Sequence, residues 1–263
     1  MSLHARAFTI TELLAVIGVI SVLLALIVPA TSSVRASARA SSCQANLRQI
    51  GIAATTYAVQ NKECFPAAIL YEQSPLGIVT KAWDFDQHPD GTVRTSALWD
   101  FTSAGERVQQ CPEFEGASTF GADPATGYNY NTTYIGAEGR FPELGDNGAW
   151  LDGWRVARLG LRAGQVRKTA TTVLFGEGGW KGGANKFMRA PSATVENDFM
   201  TIYSGAQAFR HTRATHVCFI DGHVKSSCEC HDGVHASPQL VSDILDFPKN
   251  GFLDDLDGPY DPR

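Results

Sequence analysis

The hydrophobic positions change their period along the chain. From Phe8 to Ala30 almost every residue is apolar, and no charge follows Glu12. A helix that is apolar all round belongs in lipid or inside a larger body. From residue 31 to Asn61 the pattern thins to a stripe, with Cys43, Leu47, Ile50, Ala54 and Tyr57 at steps of four and three. That is the spacing of one helix face, and Arg35, Arg39 and Arg48 fall mostly outside it. No proline follows Pro29 until Pro66. The pattern predicts one helix over 8–61, apolar all round over 8–30 and amphipathic over 31–61. Its length would be about 80 Å at ~1.5 Å per residue.

Further on, the β-branched run Thr171–Phe175 predicts a strand, as does Thr215–Ile220. Asp221-Gly222 predicts a tight turn, with His223–Ser226 returning as a strand. Ala208–His211 is expected to pair with 215–220 across a short turn, and Tyr128–Ile135 is a weaker strand. Residues 76–124 and 136–165 show little period and many Gly, Pro, Asp and Thr, which predicts long loop insertions. The expected fold is α+β: a long N-terminal helix packed on a small antiparallel sheet, with residues 62–263 as the globular head.

Composition narrows this. The chain has 263 residues, 44% of them hydrophobic, which excludes a disordered protein. Its net charge of -5 comes with no basic block, so nucleic acid is not an expected partner. Six cysteines form no Cys-x-x-Cys pair and allow about 15 pairings. In an exported head Cys43, Cys64, Cys111, Cys228 and Cys230 are disulfide candidates.

The uncharged run Leu13–Ala30 approaches the ~20 residues that a membrane-spanning helix needs. Arg6 ahead of it keeps the N-terminus cytoplasmic and sends the remainder outward. A plain anchor, or a signal peptide ending at Val28-Pro-Ala30, are competing readings. Glu12 separates them, because an unpaired carboxylate in lipid costs several kcal/mol. A cut between Ala7 and Phe8 would create an amino group on Phe8, a suitable cation for the Glu12 of a neighbouring copy. Pro29 removes one helical hydrogen bond, so it kinks or ends the span.

Phe8-Thr-Ile-Thr-Glu-Leu-Leu-Ala-Val-Ile behind a short basic leader resembles the prepilin-type cleavage and methylation segment. In that family the first mature residue is usually Phe, the fifth Glu and the twenty-second often Pro, matched here by Phe8, Glu12 and Pro29. The family has Gly before the cut where this chain has Ala7. A second resemblance is to a subgroup of bacterial pilin-like proteins. It rests on Cys43-Gln-Ala-Asn-Leu-Arg-Gln-Ile-Gly, Cys111-Pro112, Gly127-Tyr-Asn-Tyr, the strand ending at Glu177, and His211 followed after nine residues by Asp221-Gly222. The resemblance implies a leader over 1–7, a single-pass precursor in the bacterial inner membrane, and a filament of identical subunits outside the cytoplasm. The implied partners are further copies, a prepilin peptidase, and a membrane assembly platform with its ATPase. Pilus and type II secretion pseudopilus remain equally open.

No constellation for catalysis emerges, and no enzyme activity is expected. His211 and Asp221 would lie at opposite ends of an extended strand nearly ~20 Å long, so they read as turn markers and not as a dyad. Cys228-Glu-Cys-His231 with Asp232 and His235 has awkward spacing for one tetrahedral site, and no metal is expected there. Asp254, Asp255, Asp257 and Asp261 near Gly258 are a candidate calcium loop without the EF-hand pattern. There is neither a phosphate loop nor a Gly-x-Ser-x-Gly elbow. A different function, a monomeric anchored protein binding glycans, would use Trp83, Trp150 and Trp154.

Overall fold

The computed structural model describes residues 9–102, 105–114, 116, 118, 123, 125, 127–136, 140–144, 150–156, 160–191, 204–234 and 237–263. Helix α1 (Ile10–Gln60) is unbroken. The chain divides into two compact units, residues 1–41 and 42–263, and α1 contributes to both. In the first unit the side chains of Ile10–Arg39, Pro29 aside, are all exposed. Pro29 lies inside the helix without ending it. Since it has no amide hydrogen, the carbonyl four residues earlier lacks its usual helical partner. The hydroxyls in and next to the uncharged run turn inward on their own helix: Ser21 Oγ donates to the Ile17 carbonyl at 2.7 Å and Thr31 Oγ1 to that of Val28 at 2.9 Å. Hydroxyls satisfied within the helix suit a solvent without water.

The second unit holds α1 from Ser42 onward and the strands. β1 (Ile69–Ser74), β2 (Gly77–Ala82), β3 (Phe85–Gln87) and β4 (Val93–Thr95) form an antiparallel sheet in chain order. After β5 (Tyr128–Asn131) comes an antiparallel pair, β6 (Arg140–Leu144) and β7 (Trp150–Val156). The larger sheet is built on β8 (Val173–Gly179), buried along its whole length. It is joined by β9 (Phe187–Met188), β10 (Ala206–Ala208), β11 (Thr215–Phe219), β12 (Val224–Ser227) and β13 (Asn250–Gly251). β11 and β5 run antiparallel to β8, and β10 pairs with its end at Gly178 and Gly179.

β8 is apolar apart from Glu177 because both of its faces are covered. One core gathers Cys43, Leu47, Ile50 and Ala54 of α1 with Trp83, Tyr130, Leu174, Phe175 and Cys218. The other gathers Val173, Met188, Val217, Leu240, Phe252 and Tyr260. The alternation Val173/Leu174 and Val217/Cys218 sends neighbouring residues to opposite cores, as the pleat requires. The helical stripe read from the sequence is the buried face of α1, with Tyr57 half-buried at its end.

Two expectations are corrected. Residues 76–124 and 136–165 are not loops throughout: they hold most of the four-stranded sheet and the β6–β7 pair. β1 and β2 are only partly buried, so their alternation of apolar and polar residues is weak. Residues 206–208 pair with β8 and β13, not with β11. Only His211 folds back, bridging Ala214 around Thr212 and Arg213, both with positive φ.

Candidate functional site

The N-terminal helix supplies the first candidate surface. Leu13, Leu14, Val16, Ile17, Val19 and Ile20 are exposed, and so is the apolar run that follows to Val28. This helix is long and apolar enough to cross a membrane. Glu12 closes its N-terminal end. Its Oε2 accepts from the Thr9 amide at 2.9 Å and from Thr9 Oγ1 at 2.8 Å, while the Glu12 amide donates to Thr9 Oγ1 at 3.3 Å. This Thr-x-x-Glu exchange is a capping box, which satisfies otherwise orphaned amide groups. Glu12 therefore has a local use that the sequence reading overlooked, although the Thr9-x-x-Glu12 spacing announced it. Ala7 and Phe8 lie outside the described residues.

The second candidate lies inside the head, where markers scattered along the sequence converge. Cys43 comes from the buried face of α1. Cys111 follows a short 3-10 turn (Gly105–Val108), Glu177 sits in mid-β8, and His211 occupies the turn before β11. All four are buried. Gly127, with φ of 119°, passes so close to Cys111 that a β-carbon there would stand 2.4 Å from Cys111 Cβ. The adjacent Tyr128 hydroxyl accepts from Asn46 Nδ2 at 3.1 Å, tying β5 back to α1.

Cys43 Sγ and Cys111 Sγ are 2.8 Å apart. His211 Nε2 and Glu177 Oε1 are 2.6 Å apart, and Cys111 Sγ lies 4.0 Å from both. The His216 amide donates to Glu177 Oε2 at 3.1 Å, and the His216 ring stacks on His211 at 4.5 Å. His216 Nδ1 is in turn 2.8 Å from Ser226 Oγ.

Hydrogen bonding from Cys43, opposed by burial, brings the Cys111 thiol down to about 4, and the His211 contact adds to the drop. Burial pulls the His211 imidazolium down, but its bonds to Cys111 and Glu177 outweigh this and raise it to about 9. Burial raises the Glu177 carboxyl, with His211 opposing. The four side chains thus form one electrostatic unit of soft and hard donors, of the types that hold a divalent metal.

Other sequence candidates stay apart. Asp221 Oδ1 pairs with His223 Nδ1 at 2.6 Å at the turn, where Gly222 has a φ of 87°. Asp221 and His211 therefore have different partners. Asp257 accepts from the Tyr134 hydroxyl at 2.5 Å, Asp255 faces His231 at 3.2 Å, Asp254 accepts from the Leu256 amide and Asp261 pairs with Arg263. The four aspartates have separate partners and do not form a common cage. Cys64 is half-buried, while Cys228 and Cys230 are exposed. Trp83 is only 3% exposed and belongs to the core, which removes it from any glycan surface. Trp150 and Trp154 lie on β7, and their side chains are outside the described set.

A family model described as "Protein of unknown function (DUF1559)" matches residues 32–77, from the middle of α1 to the start of β2. No curated protein and no solved structure matches the chain.

Proposed function

We propose that this chain is a pilin-like structural subunit. It is made as a single-pass membrane precursor, trimmed between Ala7 and Phe8, and assembled through its N-terminal helix into a pilus-like or pseudopilus-like filament. The observation that carries the reading is the bare apolar helix: from Leu13 to Val28 its described large side chains are exposed within their own unit. Burying apolar surface is worth roughly 25 cal/mol per Å², so such a helix needs lipid first and sister helices afterwards. The family match over residues 32–77 and the prepilin-like spacing of Phe8, Glu12 and Pro29 support the same reading. The partners are further copies, a prepilin peptidase, and an assembly platform with its ATPase. The head forms the outer surface of the filament in the extracytoplasmic space, and its role is structural and not catalytic.

In a water-poor bundle an ion pair between Glu12 and the Phe8 amine of a neighbour would be poorly screened and would set the register between copies. The capping box engages one carboxylate oxygen, and an ionised carboxylate accepts several bonds, so both roles are compatible. Mass spectrometry of the mature N-terminus tests processing, with a start at a methylated Phe8 expected; a start at Thr31 would mean removal of a signal peptide and would overturn the proposal. Cross-linking through single cysteines placed between Leu13 and Val28 tests assembly, with ladders of regular multimers expected and monomers alone refuting it.

A further inference from the structure

We propose that Cys43, Cys111, Glu177 and His211 form a closed four-ligand site in the head for a thiophilic divalent cation, with zinc the best match. One sulfur, nitrogen or oxygen atom from each lies within 4.8 Å of all the others, and the four residues are buried. Tetrahedral zinc, with bonds of about 2.3 Å to sulfur and about 2.0–2.1 Å to nitrogen or oxygen, needs donor edges of about 3.3–3.8 Å. The 4.0 Å edges from Cys111 to Glu177 and His211 fall just outside that span. The two short edges, between the sulfurs and between His211 and Glu177, are hydrogen-bond contacts that open by about 1 Å as the ion takes the place of the shared protons.

Three arrangements satisfy two sulfurs held this close: a shared proton, a disulfide, or a common metal. A disulfide has no use for a carboxylate and an imidazole standing 4.0 Å from Cys111 Sγ, and a thiolate and a carboxylate buried together carry more negative charge than the one His211 imidazolium offsets. A metal uses all four donors. Two thiolates and a carboxylate exceed a divalent cation by one negative charge, and the Arg210 guanidinium, donating to the carbonyls of Gly127, which packs on Cys111, and of Gly178, which follows Glu177, brings a positive charge to the edge of the site. The outer partners are also present. The His216 amide orients Glu177, the His216 ring stacks on His211, and Ser226 holds His216. Such supports normally fix the direction of metal ligands.

Four protein ligands leave no open position, so the site is structural and not catalytic. It would clamp α1 to β8 and to the turn before β11, making the docking of the helix depend on metal.

The test uses the full-length chain in detergent. Isolated without reductant, it is expected to carry zinc at one equivalent per chain and to show no Cys43–Cys111 disulfide in peptide mapping. After chelation, cobalt(II) is expected to restore a sulfur-to-cobalt charge-transfer band with the d–d absorption of tetrahedral cobalt. Cys43→Ser, Cys111→Ser and His211→Ala should each abolish that band, and the double change Cys228→Ser with Cys230→Ser should leave it intact. Should the ligand variants fail to fold, X-ray absorption of the zinc-loaded unaltered chain decides: two sulfur and two nitrogen or oxygen neighbours are expected. A native Cys43–Cys111 disulfide, a coordination shell of other composition, or a band lost only with Cys228 and Cys230 overturns the proposal. None of these readouts depends on filament assembly.

Discussion

Gly51 on α1 meets Cys218 on β11 so closely that a β-carbon on Gly51 would stand 2.5 Å from Cys218 Sγ. A β-carbon there would have to displace the Cys218 thiol, and that thiol, pushed up to about 12 by burial, packs as a neutral group. Gly51→Ala is expected to destabilise the head by about 1–3 kcal/mol, the usual cost of overpacking. Adding Cys218→Ala should recover part of that loss, so the double variant would cost less than the two single changes together. Urea unfolding of the detergent-solubilised chain measures the coupling. Strictly additive costs would mean the two residues do not constrain each other.

Glu12 can be divided into its two roles. Gln serves in a capping box as Glu does, so Glu12→Gln keeps the end of α1 while removing the charge. Thr9→Ala does the reverse, at a cap cost of about 1 kcal/mol. If the charge sets register between copies, Glu12→Gln lowers filament yield several-fold with membrane insertion unchanged, and Thr9→Ala leaves yield near normal. The opposite ranking, scored by sheared-filament yield against membrane content, would leave Glu12 as a cap alone.

The elements legible in the sequence were those with a single dominant environment. The stripe Cys43–Leu47–Ile50–Ala54 showed because one face of α1 is buried in the head, and β11 with its Asp221-Gly222 turn showed because β-branching and turn chemistry agree. β1 and β2 were missed because their faces are half-covered, and β3 and β4 because three residues are too few to show a period. The head cluster was half-visible. Cys43, Cys111 and His211 stood out as residue types, but their spacing carries no metal pattern because four separate elements supply the donors. Glu177 was the overlooked member. A lone carboxylate between Val173-Leu-Phe-Gly and Gly178-Gly, in a strand with both faces covered, was the available signal, since a charge buried there needs a partner.

Lys186 Nζ lies 2.5–2.6 Å from the Asp84 carboxylate oxygens and 3.1 Å from Asp123 Oδ1. One buried cation serves two carboxylates. Burial raises Asp84 to about 7, with Lys186 opposing and Asp123 adding repulsion. The folded chain thus holds a proton that the unfolded chain, with an ordinary aspartate near ~4, has released. Between about pH 4 and about pH 7 this group makes stability fall as pH rises, and above that window its contribution is flat. Asp123→Asn removes the repulsion and should flatten the slope. His216, depressed to about 4 by burial and by His211, contributes the opposite slope over part of the range, so the difference between the two chains isolates Asp84. Urea midpoints at about pH 5 and about pH 7.5 suffice; equal slopes in both chains would rule the triad out as the source.

Trp83 supplies both volume and a hydrogen bond, and the two can be measured apart. Its ring packs 5.2 Å from Phe175, 6.0 Å from Tyr130 and 6.2 Å from Trp99, and its Nε1 donates to the Lys186 carbonyl at 3.1 Å. Trp83→Phe keeps an aromatic ring but removes one of that carbonyl's donors, at an expected cost of about 1–3 kcal/mol. Trp83→Ala also empties the site, and about 3–5 kcal/mol is expected. Because the Lys186 carbonyl also accepts from the Tyr130 amide at 2.9 Å, the Phe variant should fall toward the lower end of its range. A surface residue recruited for ligand binding would show neither loss, so an unchanged unfolding midpoint for Trp83→Ala would return Trp83 to the surface and undo its place in the core.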